Sequence, residues 1–311
     1  PGQPPLQVLG SRLHVENILP AQQLVQVTGS PAQIRSDVSR LEGHDIRFNR
    51  QLNTLQVLGA GVLQYPVSMA FDGQPLDRPQ LLQVKWAERL EFNGQTADFY
   101  EKVEASLRQM VMRCNAMHVT LVNPLRFDDP QLQKLAPQQV QLSKIVGENK
   151  VELDSAEYQD NIIVSRSFGR LGQFEINNVT GQTVAQGPGH FREWRRGQRQ
   201  RDNRLAASKV AKPLPRSETP PDWTYSRIDF QGRMKGNIRE RFTTFEDHVE
   251  IVYGPVPHAT DRIEADELPE GAASITCDAL KVEQYAETEA APAFVKLSAE
   301  GNTKLELEWD G

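Results

Sequence analysis

The sequence predicts an all-β protein, internally duplicated and stacked, and three observations carry that reading. First, one strand unit occurs twice in the same order. In the first half it runs Gly43-His-Asp-Ile-Arg-Phe-Asn49, Asn53-Thr-Leu-Gln-Val57 and Gly59-Ala-Gly61, and in the second Gly172-Gln-Phe-Glu-Ile-Asn-Asn178, Thr180-Gly-Gln-Thr-Val184 and Gly187-Pro-Gly189. Each copy continues through a Trp-led strand (from Val84 with Trp86, and from Trp223), a Phe-x-x-x-Val strand (Phe99 to Val103, Phe245 to Val249) and a Cys-[Asn/Asp]-Ala-[Met/Leu]-x-Val strand (Cys114 to Val119, Cys277 to Val282). A repeated unit that cannot bury its apolar face alone stacks on its neighbour. Second, hydrophobic residues make up 38% of the 311 residues, below the roughly 45–50% of globular chains, while Gly (21) and Pro (20) are frequent, which suits many short strands with frequent turns. Third, apolar residues alternate with a period of two through most segments, as half-buried strands require.

Each element follows from local chemistry. Leu13 to Val27 holds two short apolar runs split by Pro20, and Gly29-Ser-Pro-Ala-Gln-Ile34 begins a strand. In the first hairpin Ile46 and Phe48 share a face opposite Arg47 and Asn49; Asn53-Thr54 turns, and Leu55 and Val57 return on the apolar face. Gly59 and Gly61 allow a sharp corner free of a Cβ clash. Val84, Trp86, Leu90 and Phe92 then form the apolar side of the next segment. Along Met110 to Leu121, Cys114 and Met117 are three positions apart, so the alternation breaks; the second copy breaks likewise between Cys277 and Leu280. A break recurring at one register marks a bend where a strand changes sheet. The organisation expected is a first half (1–127), a Gln-rich linker (128–143) with room for a short helix, and a second half (144–311) carrying a basic insertion (191–221) and a Pro-rich acidic loop (254–273).

The charge of −6 conceals a polar split. Nine Arg or Lys lie between Phe191 and Arg216, and thirteen acidic residues between Asp261 and Gly311. The basic run lacks apolar periodicity and reads as a solvated insertion in preference to a surface for nucleic acid or anionic lipid. Cys114 and Cys277 occupy matching positions one repeat apart, too far for a direct bridge, and read as small buried hydrophobes. Trp86 and Trp223, taken as one register, are expected in the core; Trp194 and Trp309 are left as interfacial or partner contacts. No run approaches the ~20 apolar residues of a membrane-spanning helix, and the start at Pro1 is read as that of a processed or trimmed fragment, from which an export signal, if there is one, is missing. No nucleophile elbow, phosphate-binding loop or dinucleotide fingerprint occurs, and the six histidines are scattered, so neither catalytic residues, nor metal, nor cofactor are expected. Asn178-Val-Thr180 fits a glycosylation sequon but sits in a repeated turn.

The pattern resembles the OstA-like family of lipopolysaccharide-transport proteins. The resemblance rests on Gly29-Ser-Pro-Ala-Gln-Ile34, the Gly43…Ile46-x-Phe48…Thr54-x-x-Val57-x-Gly59-x-Gly61 hairpin, Leu90-x-Phe92, Phe99-x-x-x-Val103 and Cys114-x-Ala-x-x-Val119, and on their recurrence. Two departures stand out. Glu101 and Asp247 occupy the family's Gly position in Phe-x-Gly-x-Val, and Cys114-Asn115 and Cys277-Asp278 replace its Ala-Asp. The resemblance implies an open, twisted β-jellyroll of V-shaped strand pairs whose apolar groove holds acyl chains in the periplasm. It also implies a partner in lipopolysaccharide or a related glycolipid, and end-to-end strand addition with related jellyroll domains. The groove candidates are Ile46, Phe48, Leu55, Val57, Leu90, Phe92, Phe99, Val103, Met117 and Val119, with Phe174, Ile176, Val184, Phe245, Val249, Leu280 and Val282 in the second half. Alternation alone does not separate an open groove from a closed core. A closed β-solenoid serving as envelope scaffold or polysaccharide-binding module is the other expectation.

Overall fold

The structure is a computed structural model and describes residues 7–17, 23–36, 39–71, 75–127, 140–196, 223–285 and 294–308. These form twenty strands and no helix. Six lead in: β1 (Gln7–Leu9), β2 (Arg12–Glu16), β3 (Leu24–Arg35), β4 (Arg40–Asn49), β5 (Thr54–Leu58) and β6 (Gly61–Met69). The first half closes with β7 (Pro75–Trp86), β8 (Arg89–Phe92), β9 (Thr96–Leu107) and β10 (Met110–Leu121). The second repeats the plan with β11 (Leu142–Gln159), β12 (Ile162–Asn177), β13 (Gln182–Gln186), β14 (Gly189–Arg196), β15 (Trp223–Phe230), β16 (Arg233–Asn237), β17 (Phe242–Val256) and β18 (Ala273–Tyr285). Finally come β19 (Phe294–Glu300) and β20 (Lys304–Leu307).

All pairings are antiparallel, and they resolve into two layers. One layer runs β1, β3, β4, β6, β7, β9, β10, β11, β12, β14, β15, β17, β18, β20. The other runs β2, β3, β4, β5, β8, β9, β10, β11, β12, β13, β16, β17, β18, β19. The long strands belong to both layers, bending between them. In each half six strands therefore pair in a closed ring: β4, β5, β8, β9, β7, β6 in the first, and β12, β13, β16, β17, β15, β14 in the second. The halves are stacked through the β10–β11 pairing into one continuous body.

The bends fall where the alternation breaks. Register slips between Cys114 and Ala116, and between Glu246 and Val249, place Asn115 and Asp278 singly opposite the pairs Glu101-Lys102 and Asp247-His248. Asn149-Lys150 opposes Gly172 in the same way. All six paired residues have positive φ, from 47° at His248 to 70° at Asp247. Two successive left-handed residues insert an extra step in one strand and turn it into the other layer. Between β5 and β6 the corner is made by Gly59 (φ 83°), whose carbonyl accepts the Trp86 indole N–H at 3.1 Å. Gly61 lies flat under Trp86, where a Cβ would come within 2.3 Å of the ring.

Three expectations are corrected here. The second-half residue at the register of Trp86 is Phe230, because Gly61 pairs with Trp86 as Gly189 pairs with Phe230; Trp223 stands at the opposite end of its strand. The expected insertion begins too early, since Phe191 to Arg196 complete β14, and the linker ends early because Leu142 opens β11. Residues 128–139, the remainder of the insertion to 221, and Trp309 lie outside the described residues.

Candidate functional site

Two rows of side chains run the length of the stack between the layers. In one, strand register links Val27, Ile46, Val57, Leu90, Phe99, Met117, Gly147, Phe174, Ala185, Met234, Phe245, Leu280 and Ala299, each directly opposite the next. In the facing layer the row is Ile34, Leu41, Leu63, Val84, Ala105, Met112, Leu153, Gly169, Phe191, Ile228, Ile251, Ile275 and Leu305. No polar side chain interrupts either row. Directly opposite residues in antiparallel strands contact one another, so each row is a continuous apolar rail.

The candidate residues separate into three groups. Ile46, Val57, Leu90, Phe99, Met117, Phe245 and Leu280 lie on the first rail, and Val103 and Val249 at the corner beside Cys114 and Cys277; all are buried in one shared core, as is Ile176. Their rows face each other in contact rather than across a gap, since apolar surfaces left facing water collapse together. Phe48, Leu55, Phe92, Val119, Phe174 and Val282 are half-buried, and all but Phe174 lie nearer the strand ends, along the mouth of the V. Val184 does not belong with either group. It pairs with Glu175 and Lys235 on the outer surface, whereas its neighbours Thr183 and Ala185 point inward. Of the facing rail from Leu63 through Phe191 to Ile275, the sequence marks Val84 as apolar-facing, and the alternation of the other strands contains the rest.

The mouths of the two halves differ. In the first, Val25, Phe48, Leu55 and Phe92 are consecutive in register. The segment after β10 folds back over them, with the Phe127 ring 4.4 Å from Phe48 and 5.8 Å from Phe92. In the second half the corresponding positions after Ile176 are Thr183, Gly236 and Thr243. There the loops are tied to each other: Arg239 donates to the Asn178 carbonyl at 2.8 Å, the Ile238 N–H to Gly181 at 2.9 Å, and Asn237 caps Arg239 and Glu240. Phe127 carries no periodic signal in the sequence, being a lone aromatic before a Gln-rich stretch.

A second apolar cluster lies outside the layers. Trp194, Tyr225, Val252, Val256, Ile263 and Ala272 are buried together where residues 257–272 of the acidic loop cover the outer face of β14, β15 and β17. The Trp194 indole donates to the Asp261 carbonyl at 2.7 Å, and Arg227 donates to Glu264 at 2.7 Å. Trp194 is thus a structural anchor, not a free contact. Nearby, burial and the adjacent Arg192 hold the His190 pKa below its ordinary value.

Ion pairs line the outer surface. Glu104, bonded to Lys85 at 3.2 Å and Arg113 at 2.9 Å, is held below the usual carboxylate range by those hydrogen bonds, the Lys85 bond foremost. Burial pushes the Cys114 thiol up to about 12 and raises Cys277 as well; both are free thiols. Among the described residues no three His, Cys, Asp or Glu side chains gather into a metal-holding group, and no helix is long and apolar enough to cross a membrane. Among the concavities lined by described residues are two at the surface. One of about 320 Å³ lies at the corner by Lys102, Arg113, Asn115 and Lys150, and one of about 180 Å³ by Gln56, Glu91 and Asp98; neither reaches the rails. No protein-family model and no curated protein matches the chain.

Proposed function

We propose that the chain is a periplasmic carrier or bridge for an amphiphile, lipopolysaccharide or a related glycolipid, whose tails lie between the layers while its headgroup stays in water. The observation that carries this reading is the pair of unbroken apolar rails joined to a half-buried apolar mouth. Tails laid along them gain ~0.8 kcal/mol per CH₂ removed from water. Both rails also end on exposed residues, Leu13 beside Val27 at one end and Leu305 beside Ile275 at the other. An apolar end and strand edge that no described residue covers invite a further jellyroll unit. The resemblance to OstA-like proteins draws support from the bends: where that family has Gly, Glu101 and Asp247 sit at φ 65° and 70°, a conformation glycine adopts without strain.

The contact between the rails favours a second reading, a closed envelope scaffold with ligand contacts only on its exterior. A photo-crosslinking amino acid distinguishes the two when placed at Phe48, Val282 and the outward Thr244, with purified protein and lipopolysaccharide. The carrier reading expects adducts at Phe48 and Val282 and none at Thr244. Equal labelling at all three positions, or none, would favour the scaffold.

A further inference from the structure

The first-half mouth carries a built-in occupant. Phe48 and Phe92 flank Leu55 in register, and Phe127 seats against both rings. The backbone that bears it is latched by loop-tip groups. Asn53 donates to the Leu125 carbonyl and accepts from the Phe127 N–H, both at 2.8 Å. Arg50 Nε donates to the Phe127 carbonyl at 2.9 Å, and the Leu125 N–H donates to the Gly94 carbonyl at 2.7 Å. The latch is a shaped one: Asn53 (φ 56°) and Gly94 (φ 91°) both adopt left-handed backbone, and a Cβ on Gly94 would lie 1.9 Å from the Asn53 amide nitrogen.

We propose that residues 122–127 form a displaceable strap, and that the Phe48–Phe92 cleft beneath Phe127 is where an amphiphile's tail gains access to the interior. The proposal rests on the carrier reading above and adds its location and its regulation. Three features point the same way. The occupant is apolar and reaches the cleft from outside the layers, so a hydrocarbon tail replaces it like for like. The bonds that hold Leu125 and Phe127 come from loop groups, while the Val122 N–H, bonded to the Gln141 carbonyl at 2.8 Å beside the β10–β11 ladder, is the end from which the strap swings, so releasing Leu125 and Phe127 leaves both sheets intact. The second half, whose mouth positions are Thr183, Gly236 and Thr243 beneath mutually bonded loops, has no equivalent aromatic cleft among the described residues. Access through the first half alone also gives a tail a direction of travel along the rails.

The apparent affinity of a site falls in proportion to the fraction of molecules in which it is uncovered. Titrating the full chain with the apolar fluorophore N-phenyl-1-naphthylamine tests this. Phe127→Ala is expected to tighten the apparent dissociation constant about tenfold. Asn53→Ala, which frees the strap but keeps all three rings, should act in the same direction, and Phe127→Leu should remain near the unaltered chain. Binding by the unaltered chain that neither Phe127→Ala nor Asn53→Ala tightens overturns the strap and leaves the carrier reading standing. Failure of every variant to bind overturns both.

Discussion

Leu280→Ala compared with Phe48→Ala separates the rail from the mouth. Leu280 is fully excluded from solvent, held between Phe245 and Ala299 on adjoining strands. Those neighbours are fixed by their own backbone ladders and cannot close on the space left behind. Truncation therefore loses both the transfer free energy and the packing of a persistent cavity, about 3–4 kcal/mol. Phe48 is larger but half-buried, and its principal aromatic partner is the strap residue Phe127. About half of a full Phe burial is at stake, roughly 1.5–2 kcal/mol, and the strap can settle into part of the gap. Urea titrations followed by circular dichroism, with tryptophan emission reporting each half, measure both, since stacked units feel mutations locally. The reasoning fails if Phe48→Ala costs as much as Leu280→Ala, which would make the mouth as tightly packed as the rail. It fails equally if Leu280→Ala costs less than about 1 kcal/mol.

Three further outcomes follow from the geometry. Glu101→Gly should raise stability by about 1 kcal/mol by relieving a left-handed residue, and Asp247→Gly by less, because Asp tolerates that conformation; thermal unfolding of the two variants gives the order. Cys114 and Cys277 should resist a thiol reagent at pH 8 in the folded chain and both react in denaturant, because burial raises both thiols. Rapid labelling of the native protein would contradict the packed corner. The folded His190 pKa lies below the ordinary 6.5, so the unfolded chain binds the proton more tightly. Its contribution is complete above pH 6.5 and declines as the pH falls toward the folded value; His190→Gln should flatten that part of the stability profile.

Much of this architecture could be read from residue order. The 43–57 hairpin, the Phe-x-x-x-Val strands and the bends near Cys114 and Cys277 all show period-two alternation or a break in it, a signal generated by the backbone itself. The expectation for Val184 fails because matching Gly43 to Gly172 hides an offset of one: Ile46 lies three residues after the first glycine, and its register equivalent Phe174 two after the second. A slip of one residue exchanges the faces of a strand, and it puts Val184 in the place of the inward Thr183 and Ala185. The expectation for Trp223 fails for a related reason: it shares the aromatic type of Trp86, whereas Phe230 occupies the register. The outer cluster around Trp194 and the strap at Phe127 were illegible because both depend on a loop returning from far along the chain. Neither return leaves a period in the sequence.

On the proposed carrier reading, the placement of the bends bears on how a packed interior would admit a guest. β4 and β9 cross between layers in the first half, and β12 and β17 in the second; all four cross on the same side, at Gly43-His44, Glu101-Lys102, Gly172 and Asp247-His248. The opposite side consists of hairpin tips and loops. Opening the V therefore rotates the layers about one line of bent residues without breaking the pairings within either layer. What must separate are the apolar contacts across the mouth, and an incoming tail restores contacts of the same kind. The rails can thus be in contact when empty and still serve as a binding surface, provided the mouth is not locked by polar bonds. In the second half the 178–181 and 237–240 loops are bonded to each other within one layer, which stiffens that rim of the mouth. In the first half the lock is the strap, which is why the strap, rather than the depth of the core, is expected to set the affinity.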